Sequence, residues 1–298
     1  MSSDDIKQVR ALLASLPKDD KLSIEEMRAD FDNLGQQMPM PDGVSVTETI
    51  AGGVSAEWVR AQNARPDAAI LYLHGGGYRI GSPASHRHLI AALSQSVGAA
   101  ALAINYRLAP EFPFPNAVED AVSAYQWLIA QNIAPGHIVI AGDSAGGGLT
   151  VATLIALRER KIPLPAAGIC LSPWVDLTIT AQSYATRAAV DPILTREDLF
   201  VMAQTYLNRQ DAKTPLASPL FADLHGLPPL LIQAGTDEVL VDDAIKLEAN
   251  AKMSGVNVLL EVWNEMPHVW HYFFPILQEG RTAIARIGEF GKTQMGLA

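Results

Sequence analysis

Gly142-Asp143-Ser144-Ala145-Gly146-Gly147 follows an apolar run at 137–141 and precedes a helix-like stretch, so a serine stands where a strand gives way to a helix. A sharp turn at that junction must hold Ser144 at strained dihedrals, and the flanking Gly142 and Gly146 leave room for strand and helix to pass closely. The hydroxyl then projects from the sheet as a nucleophile. Ala145 would open the helix, so its backbone N–H and the positive end of the helix dipole point to where an oxyanion would form. A glycine-rich turn containing a serine recurs by chance in many α/β chains. The strand before it and the helix after it favour the catalytic reading here.

Upstream, His74-Gly75-Gly76-Gly77-Tyr78 ends a second apolar run, 68–73. A tetrahedral intermediate needs two or three N–H donors aimed at one oxygen, and only glycine lets a backbone bend that closely. Gly76 and Gly77 are the expected donors, joined by Ala145. Alone, the motif would read equally well as a flexible turn; its pairing with the serine turn favours an oxyanion hole.

A serine hydroxyl is a poor nucleophile at neutral pH, so it needs a histidine base, and that imidazole needs a carboxylate to fix its tautomer. The order expected after the serine is Asp or Glu, then His. The apolar run 230–234 leads through Gly235 and Thr236 to Asp237, the expected acid. Asp242 and Asp243 fall in a helix-like segment and are expected to be solvated or capping. The last strand reads at 256–263 from its β-branched character, and the loop after it carries His268 just past Pro267, the expected base. His271 is expected to pack one turn into the terminal helix. As a pair, His268 and His271 lack a third ligand for a metal. His86 and His88 read as the start of a helix beside the site, and His137 and His225 as surface or turn residues.

These motifs resemble those of the bacterial family IV carboxylesterases, the hormone-sensitive-lipase-like branch of the α/β-hydrolases. The resemblance is carried by 74–78, by Tyr-Arg-Leu-Ala-Pro-Glu-Phe-Pro-Phe-Pro at 106–115 with Val-Glu-Asp-Ala-Val at 118–122, and by 142–147. Leu-Ser-Pro-Trp-Val-Asp-Leu at 171–177, Asp237 and His268 extend it, so motifs in family order span roughly 68 to 275. It implies a Ser144/Asp237/His268 triad, an oxyanion hole from Gly76, Gly77 and Ala145 supported by His74 and Gly75, and hydrolysis of short- to medium-chain carboxylic esters through an acyl-enzyme. His74 would brace the glycine loop rather than carry protons. Two departures stand out: Glu238 follows the expected acid where the family often has proline, and Trp270 replaces a common phenylalanine. Neither is expected to touch the reacting atoms.

Three rival readings use the same residues differently. A lactone is an ester whose halves stay joined, so the same constellation would open one, and an amidase would use the same triad. A non-catalytic small-molecule receptor is disfavoured because the plant gibberellin receptor, which resembles this family, has lost the histidine present here as His268. A true lipase is disfavoured by the absence of an obvious apolar lid.

The elements needed to hold this constellation are legible. Apolar runs near 68–74, 99–106, 137–143, 167–173, 229–236 and 256–263 alternate with helix-like segments, implying an α/β fold: a mostly parallel sheet with helices on both faces. The runs 44–50 and 56–60, joined through Ala51-Gly52-Gly53, read as an antiparallel opening pair. With 298 residues, 49% of them hydrophobic, the chain can form one domain, 1–298. Two segments lie outside the alternation and are expected to form a helical cap, approximately 1–43 and 178–215. In the first, Ile6, Val9, Leu13 and Leu16 share one helical face, and Ser23 with Glu26 makes a capping box before Met27, Phe31 and Leu34. In the second, Phe200, Met202, Tyr206 and Leu207 form an apolar patch. Met38, Met40, Tyr184 and Met202 are the candidate pocket residues.

Composition bounds the partners. A net charge of −10 argues against nucleic acid. The start of the chain lacks a basic segment followed by an apolar one, and no apolar stretch is long enough to span a bilayer. The single cysteine, Cys170, sits in an apolar strand and reads as an inert buried thiol. The expectation is a cytoplasmic enzyme without metal, nucleotide or organic cofactor, acting on a small-molecule ester. The resemblance leaves open a homodimer paired through the last strand.

Overall fold

The computed structural model describes residues 4–15 and 22–297. Eight strands form one sheet: β1 (Val44–Ala51), β2 (Val54–Ala61), β3 (Arg65–Leu73), β4 (Ala99–Ile104), β5 (Ile138–Asp143), β6 (Ala167–Leu171), β7 (Leu230–Gly235) and β8 (Val258–Trp263). Their order is β1-β2-β4-β3-β5-β6-β7-β8. β2 runs antiparallel to β1 and β4, and every later pairing is parallel. The expected mostly parallel sheet with an antiparallel opening is the one observed.

Two faces of the sheet are buried, which is why β4, β5, β6 and β7 read as unbroken apolar runs instead of alternating ones. The period of two still sorts their side chains. Ile70 and Tyr72 pack on one face with α3 (Pro83–Val97) and α9 (Gln278–Gln294), while Ala69, Leu71 and Leu73 pack on the other with α4 (Asn116–Ala130), α5 (Ala145–Glu159) and α8 (Val241–Met253). α5 is buried from Ala145 through Leu157, so it is apolar all round. α3 has its own start and stop signals: Ser82 accepts from the Ala84 and Ser85 amides, Pro83 opens the first turn, and Gly98 ends the helix at φ 73°.

The segments outside the alternation are helical. α1 (Asp4–Ser15) buries Ile6, Val9 and Leu13 against Met266, Val269, Trp270 and Phe273 from the far end of the sequence. Leu16, placed on the same face from sequence, lies outside the described residues. α2 (Ile24–Gln37) begins at the expected capping box of Ser23 and Glu26. α6 (Ser183–Thr186) is one turn, and α7 (Arg196–Leu207) is capped by Thr195 at its start and by left-handed Asn208 at its end. Tyr206 of α7 stacks on Tyr78 with ring centroids 3.7 Å apart, seating the helix on the glycine loop. Phe200, expected in the apolar patch, instead faces outward and is 56% exposed. Among the described residues no helix is long and apolar enough to cross a membrane.

Candidate active site

Parallel register brings the carboxyl ends of the inner strands together. Leu73 of β3 pairs with Gly142 of β5, and Asp143 pairs with Leu171 of β6. The loops leaving these ends must therefore meet, and ligands in such sheets bind at that edge.

Ser144 occupies the turn from β5 into α5 at φ 54° and ψ −120°, a strained conformation for a residue with a side chain. Its backbone is over-determined: its N–H donates to Leu171 O at 2.8 Å, and its carbonyl accepts from Trp174 N at 2.9 Å and Gly148 N at 3.1 Å. Glycine is required beside it, because a Cβ on Gly146 would collide with the carbonyls of Leu73 and His74. Ala145 is wholly buried behind the serine and begins α5, where first-turn amides have no intrahelical acceptor.

The glycine loop turns with Gly76 at φ 111° and Gly77 at φ 61°. The Gly76 carbonyl accepts from Arg79 N and Ile80 N at 3.1 and 3.0 Å, closing the turn. Gly76 and Gly77 line the same cavity as Ser144 and His268, whereas the buried Ala145 is not part of its wall. A side chain on Gly77 would strike Met202, so α7 rests directly on the loop. His74 donates from Nδ1 to Gly75 O at 2.8 Å and stacks on Tyr106 at 4.2 Å. Burial drives its pKa down to about 3, so the ring is neutral and its single proton serves that bond.

His268 is 5% exposed on the loop after β8, and its Nδ1 lies 2.7 Å from Glu238 Oε2. This corrects the expectation that Asp237 orients the base. Asp237 is turned away and forms an ion pair with Arg10 of α1, which also donates to Glu265 O at 3.2 Å. Glu238 is fully buried, and its other oxygen, Oε1, accepts from Gly235 N at 2.6 Å and Ser172 Oγ at 3.0 Å. Ser172 Oγ accepts in turn from Val269 N at 3.1 Å, tying the carboxylate to the histidine loop. The physical reason is reach: β7 ends at Gly235, and the turn carries the first acid out toward Arg10 of α1 and the second, longer one back to the imidazole. The residue expected to stand apart from the chemistry is the one hydrogen-bonded to His268. Burial alone would pull the His268 pKa down, but the Glu238 hydrogen bond and charge outweigh it and leave the pKa raised.

His271 is buried away from the cavity, with Nε2 at 2.8 Å from Gln233 Oε1, and burial lowers its pKa to about 3. It packs as expected, but not one turn into the terminal helix: it lies in a short 3₁₀ turn over Trp270–Phe273, ahead of that helix, which begins at Gln278. His88 is also buried, donating from Nε2 to Tyr272 O at 2.9 Å. His137 and His225 sit at the surface beside Asp67 and Asp223. Asp243 is neither solvated nor a cap: it is buried, accepts from the Val175 and Asp176 amides, and is pushed up to about 8 by burial and then by Asp176. Asp242 accepts from Ser183 N.

The cavity encloses about 360 Å³ and is walled mostly by apolar side chains. Of the four candidate pocket residues, Met38 and Met202 line it. Met40 does not and is 39% exposed, and Tyr184 does not because its hydroxyl donates to Asp243 Oδ1 at 3.1 Å behind the wall. Sequence reasoning missed Leu12 and Leu13 of α1, Phe31 and Leu34 of α2, Leu199 of α7, and Tyr272 and Phe273 beyond His268. Their helical spacing was visible, but the same spacing is what simple packing helices require. His86, on α3, and Asp143 also reach the cavity.

The fold and this constellation of serine, histidine and carboxylate define a class, and comparison with known proteins agrees. Residues 70–272 match the family described as the alpha/beta hydrolase fold. A protein named acetyl-hydrolase from Streptomyces hygroscopicus is 51% identical over 277 residues, which are 93% of this chain and 90% of that one. The solved structure of an esterase from the bacterial hormone-sensitive lipase (HSL) family is 46% identical and superposes with a TM-score of 0.96, covering 99% of this chain and 100% of that one. A third, the crystal structure of EstE5 soaked with p-nitrophenyl butyrate, is 47% identical with a TM-score of 0.95 over the same shares. This chain belongs to the α/β-hydrolase fold family, in its bacterial hormone-sensitive-lipase branch.

Proposed function

We propose that this protein is a serine carboxylesterase whose acyl-enzyme forms on Ser144, with His268 as base and Glu238 as its orienting carboxylate. The observation that carries the reading is one cavity that joins a strained serine to a histidine whose far nitrogen is bonded to a buried glutamate. Its relatives' names, acetyl-hydrolase and esterase, support the same reaction class.

His268 Nε2 takes the Ser144 proton as Oγ attacks the ester carbonyl, and the resulting imidazolium is stabilised by Glu238. The carbonyl oxygen becomes an oxyanion on the amides of Gly76, Gly77 and Ala145. His268 returns its proton to the departing alcohol, and water then attacks the acyl group with the same histidine as base. The volume, near the small end of the roughly 300–1,000 Å³ range of ligand pockets, and its apolar wall favour short to medium acyl chains. In this reading the helices within 1–43 and 178–215 are the cap that sets chain length.

Steady-state hydrolysis of p-nitrophenyl esters from acetate to palmitate, beside Ser144→Ala, tests it. Turnover confined to the shorter chains and abolished by the substitution is the expected result. No turnover by folded wild type, or equal turnover by the variant, would overturn the proposal.

A further inference from the structure

We infer that Asp143, the residue before the nucleophile, is a positioning residue for the oxyanion loop, acting through Gly75 and held in place by His86. The inference rests on the esterase reading of the Ser144 site. Asp143 ends β5 and is 3% exposed. Its Oδ1 accepts from Gly75 N at 3.0 Å and from the Tyr72 hydroxyl at 2.6 Å, and its Oδ2 lies 3.3 Å from His86 Nε2. The Gly75 carbonyl is taken by His74 Nδ1. Gly75, whose backbone leads directly into the two expected donors, is thus gripped at its N–H by a carboxylate and at its C=O by a neutral imidazole. The fit leaves no slack, since a Cβ on Gly75 would run into Asp143 Oδ2.

The charge on Asp143 survives burial because its partners supply it with donors. Burial works against the carboxylate, yet His86 and the Tyr72 hydroxyl hold its pKa at about 2. His86 is committed to this task and not to proton transfer with substrate. Its Nδ1 faces Ser85 Oγ at 2.9 Å and Ser82 O at 3.3 Å, so neither ring nitrogen is left for the cavity, and its ring edge is packed by Phe31. The same carboxylate belongs to the residue whose backbone is bonded to Ser144. One rigid unit therefore fixes the spacing between the nucleophile and the amides that receive the oxyanion, and an oxyanion hole works only when its donors are preorganised at that spacing.

The test compares Asp143→Ala and Asp143→Asn with wild type in three readouts: kcat, KM, and affinity for a trifluoromethyl ketone, to whose carbonyl carbon Ser144 Oγ adds reversibly. Asp143→Ala frees Gly75 and is expected to lower kcat by about 10²–10³, the range for losing an oxyanion donor, with KM within about twofold. Asp143→Asn keeps an acceptor for Gly75 but loses the charge assistance, and is expected to lose about tenfold in kcat. Ketone affinity should fall by the same factor as kcat/KM in each folded variant, a correspondence a purely structural role would not produce. If Asp143→Ala does not fold, Asp143→Asn alone decides through the same correspondence. Unchanged kcat, or a fall in kcat with undiminished ketone affinity, overturns this inference while leaving the Ser144 reading intact; inactive wild type overturns the Ser144 reading itself.

Discussion

Replacing Glu238 by glutamine keeps the volume of the side chain and removes its charge, and the hydrogen bonds around it dictate the consequence. Oε1 already accepts from Gly235 N and Ser172 Oγ, so the amide oxygen of the glutamine must stay there. The NH2 group then faces His268 Nδ1, which can only accept from it. The imidazole proton is forced onto Nε2, the nitrogen that must take the Ser144 proton, and the base is locked in the wrong tautomer. A fall in kcat of about 10⁴ is expected, as for tautomer inversion in other serine hydrolases, or roughly 5 kcal/mol at 1.36 kcal/mol per decade. The surviving activity should also titrate differently. Only neutral His268 is a base, so kcat/KM falls as pH drops through its pKa; without the carboxylate, burial dominates and the acid limb moves to lower pH. Asp237→Asn is the control: it breaks a partly exposed pair with Arg10, worth about 0–1 kcal/mol, and should keep kcat within about threefold. Steady-state assays of both variants from pH 5 to 9 read the contrast. Loss on Asp237→Asn with retention on Glu238→Gln would refute the reasoning.

His268→Ala should remove nearly all turnover with the thermal transition retained, whereas His271→Ala should keep kcat within about tenfold and lower Tm, because His271 packs on Gln233 and Trp270; comparable kcat losses would mean the base is misassigned. Tyr206→Phe removes a buried hydroxyl that has no hydrogen-bond partner among the described residues, so Tm should be unchanged or higher by calorimetry, and a drop of several degrees would contradict that placement. Leu199→Ala enlarges the cavity at α7 and should shift preference along the p-nitrophenyl ester series toward longer chains while costing about 2–5 kcal/mol of stability in denaturant titration; an unchanged preference would place the acyl chain elsewhere.

The parts of the molecule governed by local rules were readable from sequence. The apolar runs located β3 to β8 within two or three residues, most plainly for β4 to β7, which are buried along their whole length, and the Ser23 cap marks a helix start by a side chain that bonds its own backbone. Ser144, His74, Gly76, Gly77 and His268 stand at strand ends, where pattern and chemistry coincide. The carboxylate partner of His268 could not be read that way. Asp237 and Glu238 are adjacent, both follow the end of β7, and what separates them is the rotation of one turn and the presence of Arg10 more than two hundred residues away. Pocket residues escaped for the same reason: Met38 and Met40 differ only in which way the chain turns after α2, and Tyr184 is claimed by a buried aspartate that reads from sequence as a surface residue. Asp143 does have a signal in the sequence, since a charged side chain at the end of an otherwise apolar strand must find donors when it is buried.

The most direct measurement is mass spectrometry of the intact protein and its peptides after treatment with a fluorophosphonate ester, which phosphonylates an activated serine. A single stoichiometric adduct on the peptide containing Ser144, absent in Ser144→Ala and slowed in parallel with turnover in Glu238→Gln, is the result expected if this serine is the nucleophile. An adduct on another residue, or no adduct on an enzyme that hydrolyses esters, would contradict it.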